Sequence, residues 1–114
     1  MTDSVIYHNP RCTTSRKALE LLRDNGIEPD IIQYLKTPPS RAELVKLIED
    51  AGIDVATAVR KREPLYAELN LAEADDDALL DAMAENPILI ERPFVVTPRG
   101  TRLARPLDSV REIL

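Results

Sequence analysis

Ser4-Val5-Ile6-Tyr7-His8-Asn9-Pro10-Arg11-Cys12-Thr13-Thr14-Ser15-Arg16 lies near the start of the chain and decides how the rest is read. Ser4 to Tyr7 has the apolar, β-branched and aromatic content of a short strand. The polar stretch from His8 to Arg16 leads into helical spacing, with Ala18, Leu19 and Leu22 on one face and Leu21 beside them. Asn25-Gly26 supplies the stop. A second strand is read within Glu28 to Leu35, through Ile31, Ile32 and Tyr34. The strand–helix–strand connection is short enough for a right-handed parallel crossover.

Thr37-Pro38-Pro39 blocks any regular element, and Ser40-Arg41-Ala42-Glu43 matches a capping box that opens a helix striped by Leu44, Leu47, Ile48 and Ala51. Gly52 and Asp54 separate it from a shorter helix through Val55, Ala58 and Val59. A helical turn follows around Leu65 to Leu69. Asp75-Asp76-Asp77 favours the positive end of a further helix, with Leu79, Leu80 and Met83 inward. After Asn86-Pro87 the pattern reverts to strands: Phe94 to Thr97, a tight turn at Pro98-Arg99-Gly100, and a hairpin partner through Thr101 to Ala104. Pro106 with Asp108 opens a last helix through Val110, Ile113 and Leu114. The order is β-α-β, a helical middle, then β-β-α. The fold class is α/β with a mixed sheet, read as one domain over residues 1–114 with a helical insertion at about residues 40–90.

The 114 residues are one domain's worth. Hydrophobic residues at 44% and charged residues at 31% make an ordinary globular balance, and with aromatics at 4% the core must be aliphatic. One cysteine forms no internal disulfide, and one histidine beside it makes no thiolate-rich zinc site, so no metal is expected. The N-terminus has no basic flank before a long apolar run, and nothing approaches the ~18 apolar residues of a membrane span. The protein is read as cytoplasmic, in a reducing compartment and without a membrane partner, and as a monomer. A net charge of −5 argues against nucleic-acid binding. Charge distribution says more. Glu63 to Glu91 holds nine acids and no Lys or Arg, whereas Arg92 to Leu107 holds Arg92, Arg99, Arg102 and Arg105 and no acid. That block suits one small anion; an ordinary solvated basic face is the plainer alternative.

Cys12 sits between first strand and first helix, at the carboxyl edge where open α/β sheets bind ligands. Unpaired N–H groups and the positive end of the helix dipole there stabilise a thiolate and can lower a thiol pKa well below about 8.5. The same N–H groups can hold an oxyanion beside the sulfur. Free cysteines more often act as small buried hydrophobes, but the polar neighbours of Cys12 weigh against that. His8 is either a partner to the thiol or a polar strand end. A C-x-x-C dithiol is absent, since the second position is Ser15. The low-molecular-weight phosphatase cradle needs Arg six residues after Cys, where this chain has Ala18. The C-x-x-S of monothiol glutaredoxins is present.

Taken together, the residues resemble the glutaredoxin-dependent arsenate reductase family. The match includes Tyr7-His8-Asn9-Pro10 with Cys12, Ser15 and Arg16, then Tyr34-Leu35 and Thr37-Pro38-Pro39. It continues through Leu65-Tyr66, Glu68-Leu69, Glu91-Arg92-Pro93 and Val95-Val96-Thr97 to Arg105-Pro106 and Glu112-Ile113-Leu114. The resemblance implies a thioredoxin-like fold with a helical insertion, in which Pro93 is cis and lies against the cysteine. It implies that Cys12 attacks arsenate, that glutathione, a co-substrate and not a bound cofactor, attacks the adduct, and that glutaredoxin completes reduction to arsenite. It assigns oxyanion binding to Arg60, Arg92 and Arg105, gives His8 a part in lowering the cysteine pKa, and gives Ser15 a hydrogen bond to the sulfur. Having no second thiol, the chain needs an outside one to resolve the adduct. Two departures stand out. Thr13 replaces a common Gly or Ser, and the chain stops at Leu114 where plasmid-type arsenate reductases carry a longer tail. Two other functions are open to such a thiol: that of a polymerase-binding redox regulator, whose C-x-x-C switch Ser15 breaks, and that of a monothiol glutaredoxin-like carrier, which has no use for the arginines.

Overall fold

The structure, a computed structural model, describes residues 3–114. Met1 and Thr2, the start of the N-terminal stretch read above, lie outside the described residues. Strand β1, Val5–His8, buries Ile6 and His8 and leaves Val5 and Tyr7 half-covered, as a strand with one face in the core does. Helix α1, Thr13–Asp24, buries Ser15, Ala18 and Leu22 along a three-and-four-residue stripe. Gly26 ends it at φ +76°, a conformation that costs glycine no Cβ clash. Strand β2, Asp30–Gln33, runs parallel to β1, from Val5 opposite Asp30 to His8 opposite Gln33. It is shorter than the Glu28 to Leu35 read from the sequence. Pro29 has no N–H for the ladder, and the N–H groups of Lys36 and Thr37 both bond back to the Gln33 carbonyl at 2.9 Å, turning the chain out of the sheet.

Strands β3, Phe94–Thr97, and β4, Gly100–Leu103, form an antiparallel hairpin, and β3 lies antiparallel to β1. The sheet order is β2-β1-β3-β4. The last element, Leu107–Ile113, is a 3-10 helix and not the α-helix that the Pro106 start suggested. Ser109 N–H bonds to the Pro106 carbonyl three residues back at 3.0 Å, and the tighter winding stacks Val110 and Ile113 on one buried face. Ile6, Ala18, Leu22, Val95, Ala104, Val110 and Ile113 form the aliphatic core between α1, the sheet and this helix.

The chain divides into two compact units, one running up to Thr37 and resuming over Arg92–Leu114, the other spanning Pro38–Glu91. The sheet belongs to the first. The second contains α2 (Arg41–Ala51), α3 (Val55–Ala58), α4 (Pro64–Glu68), α5 (Asp76–Glu85) and 3-10 turns at Leu71–Glu73 and Pro87–Leu89. Ser40 and Glu43 complete the reciprocal capping box at the start of α2. Helix α2 packs against α5, and Arg41 bridges to Asp77 and Asp81 on α5 at 3.0 and 2.8 Å. The architecture is the α/β mixed sheet of a thioredoxin-like fold, with its helical segment between β2 and β3. Among the described residues, no helix is long and apolar enough to cross a membrane.

Candidate active site

Strand directions explain why residues distant in sequence meet. β1 and β2 are parallel, and β3 and then β4 each reverse, so one edge of the sheet carries the ends of β1, β2 and β4 and the start of β3. The residues just beyond those strand ends are Asn9 to Cys12, Tyr34, Arg105 and Arg92, all within the sheet-bearing unit. Asn9-Pro10-Arg11-Cys12 is a tight turn: Cys12 N–H donates to the Asn9 carbonyl at 3.0 Å, and Arg11 N–H to Asn9 Oδ1 at 3.0 Å. Asn first and Pro second are the residues such a turn favours, since Asn caps it and Pro pre-sets φ. The turn delivers Cys12 as the N-cap of α1, its carbonyl accepting Arg16 N–H at 3.0 Å.

Cys12 is only 8% exposed, yet the groups facing its sulfur are polar. Arg105 Nη2 stands 3.6 Å from Sγ, and Arg105 Nε donates to the Arg92 carbonyl at 2.9 Å, which ties the two arginines together. Burial pushes the thiol up. Against it act the backbone N–H of Ser15, the Arg92 guanidinium beside the sulfur and the charge of Arg105, and the net result lies below the ordinary thiol value. Arg92 itself is raised: burial opposes its charge, and the adjacent Cys12 and Tyr34 outweigh that burial.

Behind the sulfur, Ser15 Oγ lies 2.7 Å from His8 Nδ1 and accepts Asn9 N–H at 3.0 Å. Burial first, then the charges of Arg16 and Arg23, hold the His8 pKa below its ordinary value, so the ring is neutral at pH 7. The family resemblance implied a Ser15 hydrogen bond to the sulfur and a direct part for His8 in activating it. In the structure the Ser15 hydroxyl bonds with His8 and Asn9, and the backbone N–H of Ser15 acts with Arg92 and Arg105 to favour the thiolate.

Arg60 belongs to the other unit, between α3 and α4. Its Nε pairs with Glu63 at 3.1 Å and its Nη1 with Glu91 at 3.3 Å, and its side chain is 16% exposed; Arg62 is exposed. The arginine block also splits. Arg92 and Arg105 flank the hairpin at the cysteine edge, Arg99 is exposed at its far tip, and Arg102 pairs with Glu112 at 3.0 Å. The Arg92–Pro93 peptide is cis, as the resemblance implied, and so is Arg105–Pro106, which nothing in the sequence pointed to. Among the described residues, no cluster of His, Cys, Asp and Glu could hold a metal ion.

Sequence reasoning did not single out Tyr34 or Asn9 as site residues. Tyr34 is 1% exposed and within electrostatic reach of Cys12 and Arg92. Among the described residues, its hydroxyl and the Arg92 Nε are the buried side-chain polar atoms without a hydrogen-bond partner. Asn9 and the Arg92 guanidinium lie close to that hydroxyl without reaching hydrogen-bond geometry. The usable signal was spacing, because Ile32 and Tyr34 stand two apart in the stretch read as a strand, although Tyr34 follows the observed β2. A sulfur biased toward its anion, flanked by two guanidinium groups and a free helix N-terminus, is equipped to attack a small tetrahedral oxyanion.

The ArsC family model matches residues 7–113. The chain is 58% identical to an arsenate reductase of Escherichia coli (strain K12) over 116 aligned positions, covering 100% of this chain and 82% of that protein. It is 47% identical to the uncharacterized protein YfgD of the same organism, covering 100% of this chain and 99% of that protein. The solved structure of an arsenate reductase from Vibrio cholerae superposes with a TM-score of 0.93 at 49% identity, covering 99% of this chain and 98% of that one.

Proposed function

The chain belongs to the ArsC family, and on that basis we propose that it is an arsenate reductase in which Cys12 is the nucleophile. The carrying observation is the sulfur's surroundings: Cys12 Sγ lies 3.6 Å from Arg105 Nη2, beside Arg92, at the N-terminus of α1. Arginine suits this task because its planar fork pairs with two oxygens of a tetrahedral oxyanion and stays charged, so a dianion can approach a thiolate. The thiolate bonds to arsenic as one oxygen takes up protons and leaves as water. Glutathione displaces a second oxygen, and the glutaredoxin thiol then takes the glutathione sulfur as a mixed disulfide. The two electrons left on arsenic make it arsenic(III), and water then displaces the Cys12 sulfur from arsenic, releasing arsenite and restoring the thiol. With one cysteine in the sequence, both resolving thiols come from outside. Arg92 and Arg105 bind the oxyanion. His8 and Ser15 hold the turn that presents Cys12. The protein works as a cytoplasmic monomer with no bound cofactor.

The test is coupled NADPH oxidation through glutathione reductase, with glutathione and glutaredoxin supplied and arsenate, phosphate or no anion added. Turnover will depend on arsenate, and Cys12→Ser will fall to the enzyme-free background. Equal rates without arsenate, or an active Cys12→Ser, reject the proposal.

A further inference from the structure

We propose that the Tyr34 hydroxyl is a further substrate-binding donor, which hydrogen-bonds an oxygen of the oxyanion that the Cys12 thiolate attacks. The inference rests on the arsenate reading for the identity of the anion, and on the structure for the donor. Buried polar groups in folded proteins nearly always find a partner, and a group without one needs a reason. Here two such groups, Tyr34 O–H and Arg92 Nε–H, lie in the same neighbourhood, at the edge of the sheet that carries Cys12. A guanidinium Nε can only donate, and a phenol that keeps its proton beside a guanidinium has that proton to give. Two buried donors with nothing to donate to, next to a nucleophile, define a place for a ligand rich in acceptors. A tetrahedral oxyanion, with lone pairs on every oxygen, meets that description.

The backbone makes the arrangement specific. β2 is an edge strand whose Asp30, Ile31 and Gln33 are exposed, yet the residue that follows it is almost completely buried. The bonds from Lys36 and Thr37 to the Gln33 carbonyl turn the chain immediately after Tyr34. Ile31 and Leu35 on the same segment stay exposed at 41% and 46%, so the inward position of Tyr34 is particular to that residue. Burial raises the phenol pKa and the nearby Cys12 adds to the rise, outweighing the opposing effects of Arg92 and Asn9. The hydroxyl therefore keeps its proton where the thiolate forms, and it donates a hydrogen bond without passing the proton on.

Tyr34→Phe removes the oxygen and keeps the ring. For this variant the coupled assay will give a kcat/KM for arsenate lower by about a hundredfold, the scale seen when one oxyanion donor is removed. Protection of Cys12 from iodoacetamide by inorganic arsenate or phosphate, normalised to each protein's own rate without anion, will require about tenfold more anion. The thermal midpoint will not fall, because the deleted hydroxyl has no partner in the free protein. Wild-type kcat/KM and wild-type protection in Tyr34→Phe overturn the proposal, as does a loss of activity that only tracks a lowered melting temperature. If wild-type protein reduces no arsenate, the functional reading fails by itself. Anion protection then still decides the role of Tyr34, a weaker effect in Tyr34→Phe supporting it and an equal effect overturning it.

Discussion

Ser15 serves the site with two different atoms. Its backbone N–H favours the Cys12 thiolate, while its hydroxyl joins His8 Nδ1 to Asn9 N–H and so fixes the turn that carries the cysteine. The sequence placed Ser15 near the sulfur, but which way a hydroxyl turns depends on the acceptors around it, and those exist only once β1 and α1 are packed. Cys12 was legible by its residue type and its place before the first helix, whereas charge gave only a block of four arginines and the family resemblance picked out Arg92 and Arg105. Tyr34 was not, since a tyrosine after an edge strand is ordinarily exposed. The His8 environment has a pH consequence. Its native pKa lies below the ordinary value of about 6.5, so below that pH the unfolded chain binds a proton that the native state resists. Stability is therefore complete above about pH 6.5 and declines as pH falls below it. Urea midpoints measured from pH 7.5 to 5.5, above the range where carboxylates titrate, will show this decline. His8→Gln will flatten it whatever its stability at pH 7, and an undiminished slope in that variant contradicts the assignment.

Elements were read more reliably than their ends. The capping box at Ser40 and the Asp75 cap of α5, whose side chain accepts Ala78 N–H at 2.9 Å, lie where their local chemistry put them, because a cap is set by residues within one turn. β2 was overestimated, since its length depends on how far β1 can pair. The terminal helix is 3-10 because its burial repeats every three residues, a periodicity set by the core it meets. The β3–β4 turn carries a stricter requirement. Gly100 sits at φ +147°, and a Cβ there would meet Ile113 Cγ2 at 3.2 Å. Gly100→Ala will thus cost about 1–3 kcal/mol of unfolding free energy by urea titration. A neutral substitution would mean that this hairpin and the terminal 3-10 helix do not pack as described.

At the scale of the molecule, charge patterning was half right. The block from Arg92 to Arg105 is contiguous in sequence, but a hairpin folds it so that only its two ends return to the edge of the sheet where Cys12 lies. The interior arginines go to a tip and to a surface ion pair. The arginines at the sulfur are a product of topology, delivered by the start of β3 and the end of β4, and Ser15 N–H comes from α1. A chain of net charge −5 therefore holds locally a lining that suits an anion. The most direct test is the titration of Cys12 itself, followed by thiolate absorbance or by the pH dependence of its alkylation. The midpoint will lie below the free-thiol value of about 8.5, and Arg105→Gln will move it upward. A midpoint at or above that value in the wild-type protein, or one unmoved by Arg105→Gln, would contradict the account.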